Sequence, residues 1–422
     1  MPIIQFQLEN GIPVLFERLD HLHSATIGVW VLVGSRHEST PQHGISHLVE
    51  HMLFKGTKTR NALDIAESLE IVGGEINAFT SREYSCYWAK ASTEHFSKAC
   101  DVLSDLLVNS RFDEQEFVKE RKVILEEIKM YEDSPEELCM DMLAQNVFDE
   151  GLGHPIVGTS KLIRDVQRDT VFGYYRKMYG PQDMFITIVG NVPEDQVHRE
   201  IAKFHWQRRM DKSRVKPFAQ ARLTRGVSYR KKEIEQAHLT VAYGGLPVAA
   251  PNRYVLHTIN AHLGSGMSSA LFQEVREKRG LAYNIYTFVQ SYRDIGILGI
   301  YCATSSSKVK DVLTIVRQEI ERVKNEGVPP KRLTQMKEQL KGNLLLSLEK
   351  PSFRMTRMGV SHHYFGRIMP VEEIVATIES ITQEDVAEMA KEILSRGYYA
   401  VSGVGNFPRK ELTAGLGRPG KD

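Results

Sequence analysis

His47, Glu50 and His51 lie in the stretch Gly44 to Gly56, GISHLVEHMLFKG. Two histidines four apart on a helix project about 40° apart around its axis, so both imidazoles can reach one metal ion. Glu50 falls on the same arc. A carboxylate beside a zinc-bound water is placed to take its proton, so the five residues hold two ligands and a general base. Read in order they are H-x-x-E-H, the inverse of the H-E-x-x-H zinc motif.

A catalytic zinc takes three protein ligands and a water, so one more ligand is needed. Glu114 to Tyr131 has the period of an amphipathic helix and carries Glu114, Glu116, Glu120, Glu126 and Glu127. Phe117, Ile124 and Ile128 form its apolar stripe. Glu120 and Glu127 nearly superpose in projection and border that stripe, whereas Glu126 points about 120° from Glu120, towards solvent. Both Glu120 and Glu127 can therefore face the motif helix.

The elements that position these residues alternate between strand and helix patterns. Ile4 to Leu8 and Pro13 to Glu17, joined by Asn10-Gly11, read as a hairpin, and Ala25 to Val33 as a central strand feeding the motif helix. Lys58 to Val72 reads as a helix ended by Gly73-Gly74, followed by short strands at Glu75 to Thr80 and Glu83 to Ala91. Helices are predicted over Glu94 to Asn109, from Pro135 to about Val147 and near Val171 to Met178, then a strand over Met184 to Val189.

The chain also repeats itself. FITIVGN at 185 to 191 has a counterpart YAVSGVGN at 399 to 406, about 215 residues on, and the same offset carries the helix Glu114 to Tyr131 near Lys331 to Leu346. It carries His47 to His262, in His262-Leu263-Gly264-Ser265-Gly266, where the second histidine and the base are missing. A duplicated unit follows: residues 1–204 as a metal-binding domain and 227–422 as a homologous domain without metal. His205 to Gly226, with seven Lys or Arg, is the expected linker. The fold class is α+β, two homologous halves, each a mixed, largely antiparallel sheet flanked by helices.

Composition narrows the function classes. The 422 residues carry a formal net charge of +1, which gives no electrostatic case for nucleic acid or an anionic membrane as partner. The first residues lack the basic and apolar regions of a secretory signal and no apolar run is long enough to span a bilayer, so a cytoplasmic address is expected. Cys86, Cys100, Cys139 and Cys302 form no C-x-x-C pair and read as reduced core residues.

His47, Glu50, His51 and the downstream Glu127 resemble the zinc peptidases of the pitrilysin and mitochondrial processing peptidase family, the inverzincins. GEINAFT at 74 to 80 is similar to that family's edge strand, and LFQEVREKRGLAY at 271 to 283 to its second-half signature. The resemblance covers essentially the whole chain and favours the short, two-domain subunits. It implies one Zn²⁺ per chain on His47, His51 and Glu127, with Glu120 supporting the site and Glu50 activating water and passing its proton to the leaving amine. It further implies that Arg276 and Tyr283 donate hydrogen bonds to the substrate carbonyl or oxyanion. Asn77, Ala78 and Phe79 would pair with the peptide backbone, and Glu137 and Asp141 would receive a basic substrate side chain. The expected function is zinc-dependent endopeptidase action on extended or unfolded peptides inside a clamshell chamber, with a homodimer or a heterodimer with a related subunit as the assembly. The alternative is a non-catalytic peptide-binding or scaffold subunit, which would lack Glu50 or a histidine; the chain retains every position.

Overall fold

The computed structural model describes residues 3–202, 204, 215 and 218–417. The chain forms two compact units, each built on one sheet: the first from Met1–Lys129, His154–Phe218 and Ser347–Ile368, the second from Met130–Gly153, Ala219–Leu346 and Met369–Asp422.

In the first unit, β1 (Ile4–Gln7) and β2 (Pro13–Arg18) form the expected hairpin. β3 (Ser24–Val31) leads through a loop to α1 (Ile45–Leu53), the helix that carries the histidine pair. α2 (Ala62–Glu70), β4 (Glu75–Thr80), β5 (Ser85–Ser92), α3 (Phe96–Asn109) and α4 (Glu114–Asp133) follow. α5 (Pro135–Val147) belongs to the second unit, and β6 (Met184–Gly190) returns to the first sheet. The strand order is β1-β2-β6-β3-β5-β4, parallel only between β2 and β6, and β4 is an edge.

The second unit repeats the plan. β7 (Gly226–Lys231), β8 (Gln236–Gly244), β9 (Ala282–Ser291), β10 (Gly296–Ser305) and β11 (Ala400–Gly405) run in the order β7-β11-β8-β10-β9. That is the order β2-β6-β3-β5-β4, with β7 and β11 again the parallel pair. The duplication read from 185–191 and 399–406 is therefore a duplication of sheets. The helix Arg253–Gly264 matches α1, and His262 stands third from its end as His51 stands third from the end of α1. By element ends His262 is the counterpart of His51, not of His47, because the connection into the second helix differs in length.

The units are discontinuous where the sequence suggests contiguous halves. Helix α5 packs on β11, β8 and β7, while the helix Pro351–Phe365 packs on β6 and β3 of the first unit. The buried face of each helix fits the sheet of the other half. Leu138, Cys139, Leu143 and Val147 bury the inner face of α5. Met355 and Met358 join Trp30, Phe185 and Cys86 in a cluster on the first sheet. Gly359 permits that approach, since a Cβ there would lie 2.1 Å from the Trp30 ring. The boundary expected at 205–226 falls largely on residues outside those described. Among the described residues no helix is long and apolar enough to cross a membrane, and all four cysteines are buried and in no disulfide.

Candidate metal centre

Helix α1 begins at Gly44, whose φ of 94° is left-handed and whose missing Cβ would lie 2.8 Å from Gly158 Cα. No side chain at the cap position can accept the first orphan N–H groups. Glu38 does so from the preceding loop: its Oε2 accepts from Gly44 N (2.8 Å) and its Oε1 from Ser46 N (2.7 Å). The buried carboxylate also complements the positive end of the helix. Ser46 Oγ lies 2.9 Å from Tyr174 Oη, which ties the same turn to the core.

From this base α1 presents His47 and His51 to α4. His47 Nε2 stands 3.7 Å from Glu127 Oε1, and His51 Nε2 stands 3.6 Å from Glu127 Oε2. One ligand atom from each of the three residues lies within 4.8 Å of the others. These separations are too long for hydrogen bonds. They suit donors around one ion, since two ligands each about 2.0–2.1 Å from tetrahedral zinc lie roughly 3.3 Å apart. His51 Nδ1 lies 3.0 Å from Glu120 Oε2, a contact that puts the ring proton on Nδ1 and leaves Nε2 as the free donor atom. Burial, then the neighbouring His51, lowers the His47 pKa to about 3, so its imidazole is in the neutral, ligating form. The donor set therefore fits a zinc ion.

Glu120 is 4% exposed, and Lys55 Nζ lies 2.9 Å from its Oε1. Burial pushes its carboxyl pKa up, but hydrogen bonds from His51 and Lys55 outweigh this and hold it below the ordinary value. Glu50, one residue before His51, has its pKa raised by burial, against a hydrogen bond from Thr80. Burial likewise raises the Glu127 carboxyl. Glu126 is exposed and pairs with Lys129 at 2.6 Å, as the helical projection requires.

Of the residues singled out in the sequence, His47, Glu50, His51, Glu120 and Glu127 come together in the first unit. Asn77, Ala78 and Phe79 lie on edge strand β4 of that unit. Arg276 and Tyr283 adjoin each other in the second, with the guanidinium 4.8 Å from the ring centroid and Tyr283 73% exposed. Glu137, exposed, and Asp141, half-buried, lie on α5 of the second unit. Glu38, Lys55 and Thr80 have roles that motif spacing does not reveal. Lys55 lies in the turn just past the end of α1, where helical spacing does not place a side chain.

Comparison with known proteins agrees with this geometry. Residues 14–160 match the family described as insulinase, peptidase family M16, and residues 165–340 match the peptidase M16 inactive domain. A Bacillus subtilis protein named as an uncharacterized zinc protease, YmxG, is 37% identical over 412 residues, covering 96% of this chain and 100% of its own. A similarly named Streptomyces coelicolor zinc protease is 38% identical over 397 residues, covering 92% of this chain and 86% of its own. The fold is shared with a peptidase M16 inactive domain from Pseudomonas fluorescens (TM-score 0.88, 18% identity, all of both chains covered). It is shared also with a protease from Helicobacter pylori (TM-score 0.87, 18% identity, 96% and 99% covered). With its inverted zinc motif, its duplicated sheet and relatives matched along nearly their whole length, the chain belongs to the M16 family of zinc peptidases.

Proposed function

We propose that the chain is a zinc-dependent endopeptidase that hydrolyses extended or unfolded peptides. The observation that carries this reading is the convergence of His47 Nε2, His51 Nε2 and the Glu127 carboxylate beside Glu50. Zinc held there would lower the pKa of a water and polarise the scissile carbonyl. Glu50 would be the general base, taking a proton from the attacking water and passing it to the leaving amine as the C–N bond breaks. Glu120 holds the His51 ring in place throughout. An extended peptide adds to the free edge of β4 at Asn77 to Phe79, which selects for chains without their own secondary structure.

In the same reading Arg276 and Tyr283 donate hydrogen bonds to substrate oxygens, with half-buried Arg276 lying over the ring of exposed Tyr283. Glu137 and Asp141 receive a basic substrate residue, and the chain pairs with itself or with a related subunit. A peptide-library digest, with and without chelator and beside Glu50→Gln, tests the proposal. Chelator and Glu50→Gln should each abolish cleavage while Glu50→Gln keeps its zinc. The alternative, a scaffold subunit, requires protein without zinc and peptide cleavage indifferent to Glu50→Gln. Loss of basic-residue preference in Glu137→Gln plus Asp141→Asn is the expected result for the acidic pair; an unchanged preference would rule it out. Light scattering at two protein concentrations reports the assembly, and a monomer at both would exclude self-pairing.

A further inference from the structure

Edge strand β4 and the base Glu50 are joined by one side chain. Thr80, the last residue of β4, donates its hydroxyl to Glu50 Oε2 at 2.5 Å. Its Oγ1 also lies 3.3 Å from Ser85 Oγ, and Ser85 in turn donates to Val33 O at 2.9 Å. Thr80 gives its one hydroxyl proton to Glu50 and Ser85 gives its own to Val33 O, so the contact between the two hydroxyls is packing, and the direction of the Thr80 hydroxyl depends on where β4 holds the residue.

The backbone of Thr80 faces the other way. Ser81 N donates to Tyr84 O at 2.8 Å across the β4–β5 turn. In an antiparallel pair, residues alternate between those that exchange backbone bonds with the partner and those whose N–H and C=O point away from it. Counting back from Ser81 through the register Thr80↔Ser85 and Phe79↔Cys86, Phe79, Asn77 and Glu75 bond inward. Thr80, Ala78 and Ile76 then present their N–H and C=O to the free edge. The Ala78 amide agrees with this count, since it is capped by the Asn77 side chain, whose Oδ1 lies 2.8 Å away. A cap of this kind blunts an unpaired edge and must swing aside when a strand is added.

We propose that Thr80 is a positioning residue that couples peptide docking to the base: a strand paired on β4 bonds the Thr80 backbone and thereby fixes the hydroxyl that orients the Glu50 carboxylate. The inference rests on the peptidase reading and deepens it. It gives a physical route by which contacts remote from the cut are expressed in kcat and not only in KM.

The test compares Thr80→Val, Thr80→Ser and Glu50→Gln on a long quenched peptide and on a truncated one, with zinc measured by elemental analysis. Thr80→Val should lower kcat on the long peptide by about tenfold to a hundredfold, the range of a mispositioned general base, with KM changed less than about twofold. Its zinc content should stay that of the wild type, and Thr80→Ser should recover most of the rate. The kcat advantage of the long peptide over the truncated one should shrink towards unity in Thr80→Val. Wild-type kcat in Thr80→Val, equal losses in Thr80→Val and Thr80→Ser, or a rate loss that tracks zinc loss would overturn the coupling. Should Thr80→Val not fold, Thr80→Ala against Thr80→Ser carries the same comparison. Normal turnover by Glu50→Gln would overturn the peptidase reading itself, and the coupling with it.

Discussion

Replacing Glu120 by glutamine keeps the shape of a buried side chain and removes its charge. One oxygen of Glu120 lies 3.0 Å from His51 Nδ1 and the other 2.9 Å from Lys55 Nζ. A hydrogen bond to a charged partner contributes about 1.5–3 kcal/mol. Loss of the carboxylate behind a metal-ligating histidine typically weakens metal binding by about 10–100-fold, which is about 1.4–2.8 kcal/mol. The two routes agree in size, so Glu120→Gln should raise the zinc Kd by one to two orders of magnitude. Titration against a chromogenic chelator at neutral pH measures this directly. Lys55→Met leaves the carboxylate charged and should cost less, and the double variant should lose less than the two single losses added together. Glu126→Gln is the control, because Glu126 points away on the same helix. Wild-type zinc affinity in Glu120→Gln, or an equal loss in Glu126→Gln, would refute the assignment of Glu120 as the residue that orients His51.

Other perturbations probe the frame around the site. Gly359→Ala drives a methyl into the Trp30 ring, which stacks on Phe185 and donates to Thr187 Oγ1 at 2.8 Å, so it should destabilise the protein by about 1–3 kcal/mol in a urea melt. His262 is buried and its pKa is lowered to about 4, first by burial and then by Arg332 and Arg322. Above pH 6.5 it is neutral folded or unfolded; between 6.5 and about 4 the unfolded chain takes up a proton that the folded chain refuses, so stability falls as pH drops. The urea midpoint should therefore be lower at about pH 5 than at about pH 7, and His262→Gln should reduce the difference. Burial raises the thiol pKa of Cys139 to about 12 and also raises those of Cys86 and Cys302, so an aromatic disulfide reagent should label none of these three until the protein is unfolded.

The histidine pair and Glu50 were legible because they are local, whereas the choice of Glu127 over Glu120 as third ligand came only from the family resemblance. His47, Glu50 and His51 sit within two turns of one helix, and the 3.6-residue period alone separates Glu120 and Glu127 from Glu126. The sheet repeat was legible from 185–191 and 399–406, since β6 and β11 occupy the same place in their sheets. What remained hidden depends on tertiary packing. Glu38 caps α1 from outside the helix, where capping patterns do not look, because Gly44 brings no side chain of its own. Nothing in the sequence of α5 or of Pro351–Phe365 says which sheet each one covers. Thr80 lies in a strand read as a substrate edge; that its hydroxyl meets Glu50 follows only from the packing of β4 beside α1.

The reciprocal placement of those two helices has a consequence for synthesis. The first sheet is complete once β6 has left the ribosome, yet the face bearing Trp30 and Phe185 stays uncovered until Pro351–Phe365 follows, late in translation. Conversely α5, made early, carries an apolar face whose sheet does not exist until β8 and β11 are made. Neither half can therefore mature alone on the ribosome. A chain cut before Pro351 would leave the Trp30 and Phe185 face of the first sheet uncovered.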